Sequence, residues 1–178
     1  SRNEQETEAV DESQTTETEN KITLDASGNA AAGDQSTENK TAEPSTLDEL
    51  FGGENLSVTY TGAEIAANYM EGGYYSLDAE QGKTFVIVGI DITNSGADEI
   101  AIDNFAKTPK FSVMVNGQEK AEEENTILPS DFALYQETVP AGVTENTILL
   151  FQVPDSVTSV DSLDLFVNIS GTNYQITL

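Results

Sequence analysis

The sequence contains no cysteine, no histidine and no tryptophan, and basic residues are scarce, with 7 Lys and Arg against 32 Asp and Glu. Without cysteine the chain has no thiolate nucleophile, no disulfide and no zinc–thiolate site. Without histidine it has no imidazole base and no histidine-ligated transition metal. The chemistry that remains is that of carboxylates and of hard cations, which prefer oxygen ligands.

The formal net charge of −25 limits the partners that the chain can have. Phosphate backbones and anionic lipids would both repel it, so we expect neither nucleic-acid binding nor direct docking on a membrane surface. No apolar run approaches the roughly 18 residues that a bilayer-crossing helix needs. The sequence begins with Ser1 rather than Met, as a processed or trimmed chain would.

Residues 1–45 differ in composition from the rest of the chain. They are rich in Glu, Thr, Ser, Asn, Gln and Ala, and they contain no aromatic residue. Such a segment buries too little apolar surface to offset an ordering cost of about 1–2 kcal/mol per residue. We therefore predict a disordered acidic spacer over residues 1–45, dispensable for folding, followed by one domain over residues 46–178. An inert solubility tail is the alternative interpretation of the first segment.

The domain begins with the only helical signal in the sequence. Thr46 and Glu49 fit a capping box, and Gly52 fits a helix stop. The apolar residues that would share the inner face are Leu47, Leu50 and Phe51. So short a helix is unstable alone in water, so we expect it to pack on the domain.

From Leu56 onward the apolar residues alternate with a period of two, which indicates strands. Asn116-Gly117 is a strong hairpin signal, because both residues tolerate a positive φ. The segment 83–96 is apolar on both faces at its start, as a central strand would be. The predicted strand segments are 56–62, 83–96, 99–103, 110–115, 146–153, 162–170 and 173–178. Seven short strands separated by Gly, Pro or Asn turns predict an all-β fold, an immunoglobulin-like antiparallel β-sandwich.

The order of several motifs resembles a known domain type. A strand that ends in "VGIDITNSG" with Asn94 in its turn is followed by "DEIAID", an Asn-Gly hairpin, "VPAGVTENTILLFQVPDS" and "LDLFVNI". This succession, over residues 56–178, resembles an uncharacterised immunoglobulin-like domain of Gram-positive cell-surface lipoproteins, akin to the mycobacterial immunoprotective extracellular antigen. The resemblance implies a signal peptide, secretion and a lipid anchor on a cysteine upstream of Ser1. It offers no catalytic residues to carry over.

The acidic residues are the candidates for any catalytic or metal chemistry. A glycosidase needs two carboxyl groups about 5–10 Å apart, one of them with a raised pKa. Most acids here fall in predicted turns, so we expect solvated sheet edges rather than a catalytic pair or a structural metal. A calcium site between loops is the open alternative, with Asp98, Glu99, Asp103 and Glu122–Glu124 as its candidate ligands.

The segment 68–82 is the candidate recognition site. It is long for a hairpin connection, shows no clear alternation and contains the adjacent glycines Gly72 and Gly73. Its tyrosines, which we take as candidate ligand-binding residues, are Tyr69, Tyr74 and Tyr75. Tyrosine is common in contact surfaces on loops. The alternative is that two of the three pack inward, but Tyr74 and Tyr75 cannot both do so, since neighbours in a strand point to opposite faces.

These observations favour a non-enzymatic recognition or adhesion module over an enzyme. We expect an extracellular monomer on the outer face of a bacterial cell membrane, attached through a lipid anchor, without cofactors. Its partner would be a cell-surface protein or glycan. The alternatives are a carboxylate-dependent hydrolase of surface glycans and a structural accessory domain of an envelope complex.

Overall fold

A computed structural model describes residues 42–178, so most of the predicted spacer lies outside the described residues. The described part contains one short α-helix, α1 (Leu47–Phe51), two 3-10 turns (Phe105–Lys107 and Phe132–Leu134) and twelve strands. The strands are β1 (Glu43–Ser45), β2 (Leu56–Ala66), β3 (Asn68–Glu71), β4 (Tyr75–Asp78), β5 (Lys83–Asn94), β6 (Ile100–Asp103), β7 (Lys110–Val115), β8 (Glu119–Glu122), β9 (Gln136–Val139), β10 (Thr144–Pro154), β11 (Leu163–Ile169) and β12 (Thr172–Ile176).

The strands form two main sheets and two small ribbons. One sheet has the order β1-β12-β11-β7-β8, and the other has the order β10-β5-β2. The ribbons pair β3 with β4 and β6 with β9. The chain crosses between the main sheets from β5 to β7, back to β10 and again to β11, which is the crossing pattern of a Greek key. Pairing between the strands is antiparallel apart from β1 and β12, which run parallel.

The inner faces of the two main sheets share one core. Alternate residues of β5 and β10 from one sheet pack with alternate residues of β7 and β11 from the other. The fully buried residues that these four strands contribute include Val88, Ile90, Leu149, Phe151, Val113, Val115 and Leu165. The predicted all-β sandwich is confirmed, with short strands added to the seven that the sequence indicated.

Strand β5 is the central strand that its sequence predicts. It lies between β10 and β2, and its other face carries a second apolar cluster. The buried members of this second cluster are Phe85, Ile87, Leu128 and Leu150. The three-stranded sheet is therefore covered on both sides along part of its length.

The predicted helix is confirmed together with its caps. The Thr46 hydroxyl accepts the Glu49 N–H at 3.0 Å, and the Glu49 carboxylate accepts the Thr46 N–H at 3.1 Å. Leu47 and Phe51 are buried in the main core, so packing supplies the stability that five residues lack on their own. A side chain at Gly52 would meet the Asp48 carbonyl oxygen at 2.8 Å, which explains the glycine at this stop.

Two of the motifs quoted in the sequence analysis, the turn at Asn94 and the Pro-Ala-Gly segment 140–142, meet at the end of β5. The Asn94 side-chain amide is fully buried and donates to the carbonyls of Asp98 at 2.7 Å and Val139 at 3.0 Å. The Gly142 N–H in the Pro-Ala-Gly turn donates to the Asn94 carbonyl at 2.8 Å. These two motifs therefore have a structural role, since they hold the start of β10 against the end of β5.

The first strand lies ahead of the domain boundary predicted at residue 46. Residues 43–45 pair in parallel with Tyr174–Ile176 of β12, and the Thr177 N–H donates to the Ser45 carbonyl at 2.8 Å. The Ser45 hydroxyl also donates to the Glu49 carboxylate at 3.0 Å. The sequence analysis assigned these three residues to the spacer, whereas the structure pairs them with β12; that residues 1–45 are dispensable for folding stays a prediction.

Two truncations would measure what β1 contributes. A chain that begins at Leu47 loses the β1–β12 ladder and the Thr46 cap, and we expect it to be less stable by about 2–3 kcal/mol. A chain that begins at Ala42 keeps both features and should match the full chain. Urea denaturation of the three chains checks this. Equal midpoints for the Leu47 and Ala42 chains would show that β1 adds nothing to stability.

Candidate functional site

The segment predicted as a recognition loop is a β-hairpin, formed by β3 and β4. Gly72 and Gly73 at its tip have φ values of 60° and 76°, which L side chains rarely adopt, and this explains the glycine pair. The Tyr74 N–H closes the turn by donating to the Glu71 carbonyl at 3.2 Å. The segment in which the sequence showed no clear alternation is thus a regular hairpin, and it remains the candidate contact region.

The three candidate tyrosines divide between the two faces of the hairpin. Tyr69 and Tyr75 are half-buried and pack, together with Leu77, against the second apolar cluster. Tyr74 is 92% exposed at the tip, and Met70 on the outer face of β3 is 66% exposed. The hairpin therefore presents one tyrosine and one methionine to solvent, while the other two tyrosines anchor it.

Polar contacts also hold the hairpin in place. The Tyr69 hydroxyl donates to the Glu71 carboxylate at 2.9 Å. The same carboxylate accepts the Ser130 N–H at 3.2 Å and, in addition, the Ser130 hydroxyl. Burial raises the pKa of the Tyr69 phenol, so this side chain stays neutral and keeps its proton for the bond. Tyr74 is thus carried on a supported scaffold rather than on a loose loop.

A cleft of about 410 Å³ lies elsewhere on the domain, beside β7 and the end of β8. Two of its apolar residues, Phe105 (54% exposed) and Leu134 (42% exposed), are open to solvent. The remaining residues of the lining are Thr108, Pro109, Lys110, Phe111, Glu122, Glu123, Asn125 and Ala133. The cleft therefore combines apolar side chains with polar and charged ones in one open hollow.

Thr108 on the wall of this cleft has an uncommon backbone conformation. Its φ is 43° and its ψ is 53°, in the left-handed region that a β-branched residue seldom adopts. Such strain persists only where the surrounding structure imposes it. Here the residue ends the 3-10 turn that carries Phe105 and redirects the chain towards Pro109. The strained turn therefore sets the position of the exposed aromatic ring.

A buried pair of carboxyl groups borders the cleft. Asp131 is only 2% exposed, and both of its oxygens are occupied: Oδ1 accepts the Ala133 N–H at 3.0 Å and Oδ2 accepts the Thr126 hydroxyl at 2.6 Å. Glu123 Oε2 is buried and has no donor among the residues that the structure describes. A proton on Glu123 would resolve this, because its O–H could then donate to Asp131.

The surroundings of Glu123 favour that proton strongly. Burial raises the pKa of its carboxyl from 4.5 to about 10, and the negative charge of Asp131 and a hydrogen bond with it act in the same direction. Glu124 adds a smaller electrostatic contribution. At neutral pH Glu123 therefore keeps its proton. The expectation that solvated edges account for every acidic residue is wrong for Glu123.

The acids proposed as calcium ligands are not brought together. Within residues 42–178, no group of three or more acidic side chains is placed to hold a metal ion. Asp103 Oδ1 accepts the Ala106 N–H at 3.0 Å, as a turn cap does. Glu123 faces Asp131 instead of sharing an ion with Glu122 and Glu124. The described structure thus offers no geometry for this alternative.

Comparisons with known proteins identify no family. No family model matches the chain, and no curated protein matches it. The link to the mycobacterial antigen therefore stays an interpretation of the sequence. In the described residues no helix is long and apolar enough to cross a membrane.

Several solved structures from Gram-positive bacteria show a weak similarity. An uncharacterised β-sandwich protein from Clostridium difficile is 18% identical, with 70% of this chain and 85% of that chain covered and a TM-score of 0.43. A conserved hypothetical protein from Bacillus anthracis is 11% identical, with 77% and 95% covered and a TM-score of 0.39. A candidate lipoprotein from Bacillus subtilis is 11% identical, with 78% and 37% covered and a TM-score of 0.36. Similarities at this level carry no information about function.

Proposed function

We propose that the chain is a non-enzymatic extracellular recognition module that contacts a cell-surface protein or glycan through the tip of the β3–β4 hairpin. The observation that carries the proposal is the 92% exposure of Tyr74 on a hairpin whose other tyrosines are packed. A large aromatic side chain exposed in this way gains by being covered, and tyrosine forms both apolar contacts and a hydrogen bond.

The contacts that hold the hairpin in place favour a binding role for the exposed Tyr74. Glu71 joins the tip to Ser130, and Tyr75 and Leu77 pack on the sheet beneath. A contact residue held on a rigid element loses less conformational entropy on binding than one on a mobile loop. The outer face also carries Met70, whose flexible side chain adapts to different partner surfaces.

The buried carboxyl pair is a poor candidate for the hydrolase alternative. A glycosidase places its two carboxyl groups about 5–10 Å apart on either side of the substrate bond. Here Asp131 is buried with both oxygens bound to the protein, and Glu123 lies against it. No substrate bond fits between two carboxyl groups that lie directly against each other. This geometry supports a role in the fold or in ligand binding.

Replacing Tyr74 with alanine tests the proposal. We expect the variant to bind its surface partner about tenfold to a hundredfold more weakly, which corresponds to about 1–3 kcal/mol. Its free energy of unfolding should stay within about 0.5 kcal/mol of the original, because Tyr74 makes little contact with the domain. The partner would be captured from a cell-surface extract with the original chain, and its affinity for both chains would be measured by surface plasmon resonance.

Ile127→Ala provides the matched control, since Ile127 is another large apolar side chain that is 85% exposed, and it lies outside both the hairpin and the cleft lining. If both variants lose binding equally, general surface hydrophobicity rather than the hairpin tip is responsible. If Tyr74→Ala binds as well as the original chain, the hairpin is not the contact surface.

A further inference from the structure

The outer face of the β3–β4 hairpin carries a short row of exposed side chains that begins with Tyr74 at the tip. Next to the tip, the strand register places Met70 opposite Ser76. At the base it places Asn68 opposite Asp78. Partners across the strands lie about 5 Å apart, and successive pairs on one face lie about 7 Å apart. These five side chains form the outer row, which runs from an apolar tip to a polar base.

The polar side chains of the outer row are not engaged by the rest of the domain. Within residues 42–178, the Asn68 amide, the Ser76 hydroxyl and the Asp78 carboxylate take part in no hydrogen bond or ion pair. On the inner face, by contrast, the Tyr69 hydroxyl donates to the Glu71 carboxylate at 2.9 Å. The outer row therefore offers donors and acceptors side by side, and a ligand that pairs with them breaks no bond within the domain.

The charges around the outer row disfavour an acidic ligand. Asp78 is its one charged side chain, and residues 68–78 contain no Lys or Arg. Lys83, the nearest basic residue along the chain, pairs with Glu80 at 3.4 Å. An anionic ligand would therefore meet the field of a chain with a net charge of −25 and find no cation at the row to hold it. Because a single exposed carboxylate also holds a cation only weakly in water, the ligand that fits best is neutral.

The size and shape of the outer row favour a sugar chain over a protein. A stable protein interface engages about 20–30 residues on each partner, whereas the outer row has five side chains on a strand pair. Tyr74 is 92% exposed, so both faces of its ring are open. The C–H groups of a sugar ring carry a small positive charge and pack on the negative face of an aromatic ring. Sugar hydroxyl groups both donate and accept, which matches the mixture of amide, hydroxyl and carboxylate along the row.

We propose that the partner of the hairpin is a neutral glycan, which stacks a sugar ring on Tyr74 and forms hydrogen bonds with Asn68 and Asp78. This step depends on the recognition role proposed for the hairpin, and it narrows the partner from a surface protein or glycan to a chain of uncharged sugars. The Asp78 carboxylate accepts from sugar hydroxyl groups, and the Asn68 amide both donates and accepts. Met70, between the tip and the base, packs against sugar C–H groups.

Titration of the full chain with neutral hexasaccharides, followed by NMR, tests the proposal. The probes are cellohexaose, N-acetylchitohexaose and mannohexaose, and hexagalacturonic acid is the acidic control. We expect at least one neutral probe to shift the amide signals of residues 68–78 saturably, with a Kd below about 1 mM. Its affinity should be the same at about 50 and about 500 mM NaCl, because salt screens interactions between charges. The acidic control should give no saturable shift.

Three variants identify the side chains that bind the sugar. Tyr74→Ala should weaken binding of the neutral probe at least about tenfold, and Asp78→Ala at least about fivefold. Glu99→Ala is the matched control for Asp78→Ala, since it removes one exposed acid outside the hairpin and should bind normally. All three positions are exposed, so the urea midpoints should change little, which separates lost binding from lost folding.

Digestion of the cell-surface extract with proteinase K separates this proposal from the one on which it depends. The protease removes proteins and leaves sugar chains intact, so the digested extract should still bind the original chain and not Tyr74→Ala. If digestion abolishes binding that depends on Tyr74, the hairpin recognises a protein and the glycan assignment is wrong.

The hexasaccharides give the remaining outcomes. The assignment is also overturned if no neutral probe gives a saturable shift, if the acidic control binds as tightly as the neutral probes, or if Asp78→Ala binds as well as the original chain. A neutral probe that needs Tyr74 while the captured surface partner does not would support the sugar site and contradict the proposed function.

Discussion

Replacing Glu123 with glutamine should stabilise the domain at pH 8 by about 4 kcal/mol and leave its stability at pH 5 nearly unchanged. In the original chain the folded state holds a proton on Glu123 at pH 8, because burial and Asp131 raise the pKa of this carboxyl to about 10. The unfolded chain releases that proton at its ordinary pKa of 4.5. Folding at pH 8 must therefore take up a proton, which costs free energy.

The direction of the pH dependence follows from the raised pKa. The folded state binds more protons than the unfolded state between pH 4.5 and about 10. Stability should thus be fully present below the lower value and fall by about 1.4 kcal/mol per pH unit across this window. Glutamine remains neutral at every pH and can still donate a hydrogen bond to Asp131, so this contribution to the slope should vanish.

Guanidinium denaturation at pH 5, 6.5 and 8 would measure the effect. Glu99→Gln is the control, since it makes the same side-chain change at an exposed position and should change stability by no more than about 0.5 kcal/mol at each pH. A pH-dependent gain in Glu123→Gln that is absent from Glu99→Gln would therefore come from the buried position of Glu123. Parallel stability curves for the original chain and Glu123→Gln would mean that Glu123 is ionised in the folded state.

The sequence predicted the main strands because burial on one or both faces leaves a regular pattern. In β5, Val86 and Val88 face the main core, while Phe85 and Ile87 face the second cluster. A strand that is apolar on both sides must lie between two layers, so its central position could be inferred without a structure. The capped helix was equally predictable, because Thr46 and Glu49, which form the capping hydrogen bonds, are close together in the sequence.

The sequence did not predict the hairpin, because in β3 an acidic side chain points inward and an apolar side chain points outward. Glu71 points inward, where Tyr69 and Ser130 satisfy its carboxylate, while the apolar Met70 points outward. Polarity alone therefore shows no alternation over β3. The partner that makes Glu71 acceptable, Ser130, is 59 residues away in sequence, and a single sequence does not reveal such a contact.

The carboxyl pair was missed for a similar reason. Glu123 stands in a run of three glutamates, and composition cannot tell which of them turns inward. The sequence of β8 contained a weak signal, because Ala121 is its one apolar residue, and the structure partly buries both Ala121 and Glu123. Continuing that alternation by one residue would have placed Glu123 against the sheet.

Strand β1 had no signal of its own. Its residues, Glu43, Pro44 and Ser45, carry no large apolar side chain, and only the open edge of β12 makes them a strand. Contacts between residues far apart in the sequence thus determine the parts of the fold and of the site that local sequence patterns do not predict.

Replacing Phe132 with alanine should cost about 3–5 kcal/mol of stability. The Phe132 ring is fully buried and packs edge-on against Phe51 at a centroid distance of 4.9 Å and against Phe111 at 6.0 Å. It thereby joins α1, β7 and the second 3-10 turn. Removing the ring leaves a cavity among these three segments. Phe51 of the short helix would then keep one aromatic neighbour in this group, Phe111.

Phe105→Ala is the matched control, because Phe105 begins the other 3-10 turn but is 54% exposed. It should cost less than about 1 kcal/mol, as exposed substitutions usually do. Phe132→Leu keeps most of the volume and should cost less than about 1.5 kcal/mol.

Urea denaturation with unchanged m-values would give all three differences. A domain of this size is typically stable by about 5–15 kcal/mol, so Phe132→Ala should remain folded and measurable. A loss no greater than that of Phe105→Ala would show that the three rings do not act as a common core.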